Sequence, residues 1–489
     1  MQTDHAYGKS SSALILVAGL ATAALGLALA RGWEPGIEGE WVWRRNELPA
    51  HLWGALAAGG GLAGLGAILC HPGTWERMTR SRRAMAFALL LLLVFLLQLS
   101  LLNAVGVPWV APGGTIISPN ATTYFAVSLG VQSPRDWIAH YPEVLPTLPY
   151  HAATHPPGFV LLFWSVRKLT ALMPSPPSTV LDVLVQLGDV LGMRLAPSDA
   201  LAAITSALLI ALIGALGLIP LHLLARSLAG RQTAICATCL AAAMPGLVLL
   251  GASPDLIVMT LAIGAMYRAY AGYRGDWASA LLGGVIIAVG LFLSLAFALV
   301  GLWALIWAVL GIARSPHRAA AVRGVLSVAL VAAAGFAAVY LALYLAAGYR
   351  PLAVAVQALS AHRGVTTIEA ARTYWKWVLM NPVDCAIFAG IPAVVGACWS
   401  LPALRRAQHG RLASFLAAWL VLFVLLDLSG MVRGEVGRIW LFLLWPAGIA
   451  AGAAVSARAD SGRATALLVL VQVAQALMMK GYLTMYSIL

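Results

Sequence analysis

Charge is scarce in this chain. Only 10% of its 489 residues are Asp, Glu, Lys or Arg, and the acids number 18 against 31 basic residues. Soluble domains carry about a quarter charged residues, so a water-exposed globular protein is excluded. Cysteine is scarce too. Cys70, Cys236, Cys239, Cys385 and Cys398 all fall in or beside apolar stretches, so no disulfide framework is expected in the loops. Cys236 and Cys239 form a CxxC, but no second Cys or His pair stands at zinc spacing, and the thiols read as packing residues. Also lacking are a polar stretch large enough for a soluble domain, a repeat of fixed period, and the inverted halves of secondary transporters.

What the chain has is hydrocarbon. Hydrophobic residues make up 61%, and the mean hydropathy is +0.88. Apolar stretches of about 20 residues, enough to cross a bilayer core, recur from end to end. The expectation is an all-α polytopic membrane bundle of roughly thirteen transmembrane helices. They are placed near 12–31, 51–70, 84–106, 199–226, 232–252, 256–272, 277–296, 297–313, 322–348, 377–399, 412–429, 439–456 and 465–485. The first is read as a retained helix, because no small-residue cleavage site follows it.

Short loops rich in Arg and Lys stay cytoplasmic. The loop holding Arg77, Arg80, Arg82 and Arg83 therefore places the N-terminus inside. Alternation then puts Arg226 and Arg231, Arg268 and Arg274, Arg314, Arg318 and Arg323, Arg405, Arg406 and Arg411, and Arg458 and Arg463 on that same side. The net charge of +13 is accordingly read as membrane topology, with no nucleic acid partner. Membrane lipids are the implied surroundings. The apolar run from Gly158 to Met173 would break this pattern if it crossed, so it is expected to be a juxtamembrane or re-entrant helix. Residues 107–198 then form one long external loop, expected to be ordered.

The most informative string is His151-Ala-Ala-Thr-His155-Pro156-Pro157-Gly158, opening an apolar helix. A rigid helix entry with two solvated histidines explains it as well as a functional pair does. Ser253-Pro254-Asp255 stands where a helix should begin, so Asp255 has an ordinary role at a helix N-terminus besides a chemical one. Arg433-Gly-Glu435-Val-Gly-Arg438 lies between two apolar helices, where charges must pair or face an aqueous cavity. Arg438 is the best phosphate ligand, since a guanidinium presents a planar fork and keeps its charge. A second cationic set, His362, Arg363, Arg372 and Lys376, stands among Tyr374, Trp375 and Trp377. Asp384 and Asp427 are intramembrane carboxylates and suspects for that reason alone.

In order and spacing these pieces resemble glycosyltransferase family 39 and related enzymes of the GT-C class, among them protein O-mannosyltransferases and the aminoarabinose transferases of lipid A. The resemblance is carried by His155-Pro156-Pro157, the 199–226 helix ending Leu-Ala-Arg226, Ser253-Pro254-Asp255, and Arg438-Ile-Trp-Leu-Phe-Leu-Leu-Trp-Pro446, and covers most of residues 84–456. It implies a GT-C-like core over 84–489, preceded by two additional helices in 1–83. It also implies an inverting transfer of sugar from a polyprenyl phosphate donor to an extracytoplasmic glycan, lipid or protein acceptor, at the bacterial cytoplasmic membrane. One carboxylate would take the acceptor's proton while cations hold the leaving phosphate.

The family places an acid in the first external loop, shortly before a Tyr. Here that stretch reads Pro119-Asn120-Ala-Thr-Thr-Tyr124-Phe125, and an amide cannot take a proton at neutral pH. Asn120 and Tyr124 are therefore expected to orient substrate. The base is sought among Asp136 and Glu143 of that loop and Asp255 and Glu435 from elsewhere on the outer face, with Asp136 slightly favoured and Asp255 next, although Asp136 in Ser-Pro-Arg-Asp also reads as a solvated loop or helix-capping residue. His151, His155, Arg363, Arg372, Glu435 and Arg438 complete the expected substrate-binding set. A divalent cation beside the phosphate is compatible, but no ligand cluster demands one. A flippase of lipid-linked glycan, or a GT-C scaffold that binds without turnover, would use the same cationic cavity without a base.

Overall fold

A computed structural model describes residues 5–174, 177–369, 371–404 and 410–486. Among these residues the fold is all-α apart from one small hairpin, Gly36–Ile37 paired antiparallel with Trp41–Val42. Among the described residues eight helices are long and apolar enough to cross a membrane: Ser11–Ala30, Arg80–Leu102, Pro197–Ala229, Asp255–Tyr273, Leu295–Arg314, Arg318–Ala347, Gly410–Ser429 and Ser461–Tyr482. The chain is an integral membrane protein by this criterion.

The five other expected spans are helical, but none is a single helix that meets this criterion, and only the 377–399 stretch meets it as a bent pair. Trp53–Leu69, Trp277–Leu293 and Leu441–Ser456 are shorter apolar helices. The 232–252 stretch breaks after Ala242, and Pro245, which lacks an N–H, starts a second short helix there. The 377–399 stretch is two helices bent by 104° about Gly390, whose φ of +91° excludes an ordinary L side chain.

A helix break at membrane depth frees backbone groups that lipid cannot satisfy. Gln475, on the Ser461–Tyr482 helix, satisfies both sides of the bend: its Oε1 accepts from Ile391 N–H at 2.9 Å and its Nε2 donates to Ile387 C=O at 2.8 Å. Gln98 serves the short helix after the other break with a single bond, its Nε2 donating to Leu247 C=O at 3.0 Å. Both glutamines are fully buried, as an amide with this role must be.

Small residues let the helices approach closely where no hydrophobic force separates helix from lipid. A Cβ on Gly284 would lie 1.8 Å from Ala332 O, and one on Gly335 would lie 2.2 Å from Leu281 O, so the Trp277–Leu293 and Arg318–Ala347 helices touch backbone to backbone. Gly284→Ala is expected to lower the unfolding free energy by about 1–3 kcal/mol through overpacking, read as earlier loss of structure on heating in detergent. The opposite face of the longer helix leaves Leu326, Leu330, Leu341 and Leu345 exposed, as suits contact with lipid.

The long 107–198 segment is a stack of short helices, including Val110–Ile117, Tyr124–Leu129, Pro134–Ala139, Gly158–Thr170 and Thr179–Val190. Gly158–Thr170 is too short to cross and packs on the bundle, its Arg167 paired with Asp199 at 2.9 Å. The N-terminal region is tied to the rest. Its hairpin lies against the Tyr374–Ala389 helix, and Trp43 Nε1 donates to Asp384 Oδ1 at 2.8 Å. Asp384 also accepts from Gly437 N–H at 2.9 Å, and Asp427 accepts from Asn381 at 3.0 Å. Both intramembrane acids are thus joints between segments.

Candidate functional site

A cavity of about 370 Å³ opens where the 107–198 segment, the start of the Asp255–Tyr273 helix, the Pro351–Glu369 helix and the 431–442 turn converge. Tyr124, His151, His155, Asp255, Arg372, Glu435 and Arg438 all line it. Residues separated by more than three hundred positions thus meet in one chamber.

The histidine turn is built from the backbone outward. Tyr141 O–H donates to His155 C=O at 2.7 Å, and Ala152 N–H donates to Thr123 Oγ1 at 2.9 Å, which pins the turn from both sides. Gly158 closes the motif because a Cβ there would lie 2.4 Å from Phe292 O. His155 Nδ1 is 2.9 Å from His151 C=O, an acceptor only, so that nitrogen carries the proton and Nε2 keeps its lone pair. The His155 ring meets Tyr124 edge-on at 5.5 Å.

Both imidazoles are held neutral. Burial pushes His151 down to about 3, helped by the positive charge of Arg438. Burial likewise lowers His155 to about 4, against the bond to His151 and with Arg438 adding to the depression. The unfolded histidines titrate near 6.5, so the unfolded chain binds protons that the native chain refuses. Stability from these residues is whole above about pH 6.5 and is lost as pH falls toward about 4. Thermal unfolding in detergent should therefore show a falling melting temperature from pH 7 to pH 4.5, with a shallower slope in His155→Gln.

Asp255 is the first residue of its helix, where the dipole favours a negative charge. Its Oδ2 accepts from Ser253 Oγ at 2.6 Å. Arg438 acts on it through space, but the arginine's own ion pair is with Glu435, at 2.7 Å. Glu435 itself sits at φ +55°, a left-handed conformation rare outside glycine, and Gly434 before it has φ +108°. Backbone held in such a state is a mark of functional turns. Arg438 Nη1 donates to Ala121 C=O at 3.2 Å, while its buried Nε has no hydrogen-bond partner among the described residues. A desolvated donor without a partner is costly, and an anion in the cavity would supply one.

Arg372 is locked by reciprocal bonds with Arg433: its Nη1 donates to Arg433 C=O, and Arg433 Nη1 donates to Arg372 C=O at 2.7 Å. The same strand of chain is gripped by Glu40, from the hairpin turn, which accepts from Thr373 N–H at 2.8 Å, Thr373 Oγ1 at 2.7 Å and Trp377 Nε1 at 2.8 Å. Lys376 stands 3.3 Å from it. Burial works to raise the Glu40 pKa, but these bonds outweigh it and hold the carboxyl down to about 2.

Two expected residues lie elsewhere. Asp136 is exposed in the first turn of Pro134–Ala139, its N–H donating to the capping Ser133 Oγ at 3.3 Å, and it does not line the cavity. Its position fits an ordinary first-turn acid on a surface helix capped by Ser133. Asn120 is exposed too, one residue short of the cavity wall that begins at Ala121. The side chain of Arg363 lies outside the described residues, as do Arg405 and Arg406.

Three residues gain importance from the structure. Ser253 orients Asp255, and His362 lines the cavity. Tyr486, in the C-terminal tail, brings its buried hydroxyl beside Ser253, Asp255 and Arg438. Nothing in the sequence marks it, because the tail reaches the site only by folding back, with Thr484 N–H donating to Arg44 C=O at 2.9 Å. Among the described residues no three of His, Cys, Asp and Glu converge as a metal-binding group.

Fold and cavity together define an all-α integral membrane protein with a buried carboxylate and guanidinium chamber at one end of its bundle. No family model matches the chain, and no curated protein matches it.

Proposed function

We propose that this chain is a glycosyltransferase of GT-C type. It would move a sugar from a polyprenyl phosphate-linked donor to a glycan, lipid or protein acceptor on the extracytoplasmic side. The observation that carries the reading is the meeting of Asp255, with a free carboxylate oxygen, and Arg438, with a buried unpartnered Nε, in one cavity. In this reading Asp255 takes the proton from an acceptor hydroxyl, that oxygen bonds to the sugar's anomeric carbon, and the bond from that carbon to the phosphate oxygen breaks. The phosphate leaves with both bonding electrons, and Arg438 and Arg372 hold its charge. Glu435, tied to Arg438, sets the guanidinium's orientation and does not compete as base. Neutral His155 offers Nε2 as an acceptor for a sugar hydroxyl.

The reading places the cavity outside the cell through the basic loops. Asp255 and Arg274 bracket a 19-residue helix, about 28 Å long at 1.5 Å per residue. The cavity thus lies a bilayer core away from the Arg-rich end.

The test is transfer of radiolabelled sugar by the purified protein from a panel of polyprenyl phosphate donors to a lipid extract of the native membrane. Label moving into a new product supports the reading. Tight donor retention with no product from any donor rejects it in favour of a binding or flipping protein.

A further inference from the structure

A second hollow, of about 790 Å³, lies at the opposite end of the bundle. It opens between the Asp255–Tyr273, Leu295–Arg314 and Arg318–Ala347 helices and the start of Gly410–Ser429. Gly301, Ala304, Ala308 and Gly311 line it from one helix, and Val328 and Ala332 from another. The small side chains leave a groove rather than a packed seam. Tyr270 and Trp307, stacked at 5.5 Å with their rings 9° apart, also line it.

Three arginines stand at the helix ends around this groove: Arg274, Arg314 and Arg411. No acid pairs with any of them, and their guanidinium groups make no hydrogen bond, among the described residues. A helix dipole accounts for Arg274 and Arg314, at the C-terminal ends of their helices, where it attracts a cation. Three like charges at the mouth of an apolar groove repel one another unless an anion joins them. None of the described residues lining the groove is an acid. The anion must also bring apolar surface, because the groove beneath is hydrocarbon in character.

We propose that this hollow is a binding site for one anionic phospholipid, its phosphate between Arg274, Arg314 and Arg411 and an acyl chain along the groove. Guanidinium forks match phosphate oxygens, and basic pockets between membrane helices are suited to acidic headgroups. The site is about a bilayer core away from the Asp255 cavity and does not depend on sugar transfer.

The protein, delipidated in a neutral detergent, is titrated with phosphatidylglycerol or phosphatidylcholine and the retained lipid counted by native mass spectrometry. Phosphatidylglycerol should bind with one-to-one stoichiometry and far ahead of phosphatidylcholine. Each of Arg274→Gln, Arg314→Gln and Arg411→Gln should weaken it by about fivefold, and the triple variant by about a hundredfold, from the attraction of one basic residue at a membrane surface. These side chains are exposed and make no bonds among the described residues, so the single variants should keep the wild-type melting temperature without lipid. Gly311→Trp, which fills the groove and leaves every charge in place, should abolish retention of both lipids. Equal retention of the two lipids, unchanged binding in the triple variant, or full binding in Gly311→Trp would overturn the proposal, the last by showing that only the headgroup is held.

Discussion

Asp255→Asn is expected to reduce sugar transfer by about a hundredfold to ten-thousandfold, the span that a positioned general base contributes, while donor binding stays close to wild type. The asparagine is nearly isosteric and can still accept from Ser253 Oγ. What it cannot do is take a proton. The substitution therefore separates chemistry from architecture, and the separation shows as a fall in kcat with little change in the donor's KM. Asp136→Asn is the matched control: it removes an exposed carboxylate outside the cavity and should leave transfer unchanged. If Asp136→Asn were the inactive variant and Asp255→Asn the active one, Asp255 would lose its assignment as base.

Arg438→Lys is expected to lower transfer by about a hundredfold to a thousandfold, comparable to losing one fixed donor to a developing anion, and to weaken donor binding as well. Lysine keeps the charge and so keeps a partner for Glu435, whereas alanine would strand that carboxylate beside a buried wall. What lysine loses is the fork. Arg438 uses one arm on Glu435 and one on Ala121 C=O, leaving Nε for a further oxygen, and an ammonium on a flexible stem cannot reproduce all three directions. A wild-type rate in Arg438→Lys, with the fold intact by melting temperature, would remove the guanidinium from the reading.

The two variants together separate the remaining alternatives. A protein that only binds or flips lipid-linked glycan needs the cation and not the base. It would respond to Arg438→Lys and be indifferent to Asp255→Asn.

Much of this site could be read in advance, and the reason differs from residue to residue. The His151 to Gly158 string announced itself because prolines and a glycine constrain backbone wherever they stand. Glu435 and Arg438 stood out because charge between two apolar helices requires a partner. Asp136 was ambiguous for an equally physical reason: a Ser-Pro-x-Asp turn and a catalytic loop acid look alike in one dimension. Only folding shows this aspartate exposed on a capped surface turn and absent from the lining of the cavity.

Composition and hydropathy alone settle that this chain lives in a membrane, because no packing arrangement can hide 61% hydrophobic residues from water in so long a chain with so few charges. The order of its helices is likewise written in sequence, since each apolar run must satisfy its own backbone locally. Which runs cross unbroken was decided by tertiary structure. Gln475 and Gln98 make two interruptions tolerable by reaching from other helices, and no local pattern reports a partner that far away in sequence. The same holds for the chamber, where Tyr124, Asp255, Arg438 and Tyr486 act on one another across most of the chain, a meeting that packing creates and that periodicity, which reports only a residue's own helix face, cannot express.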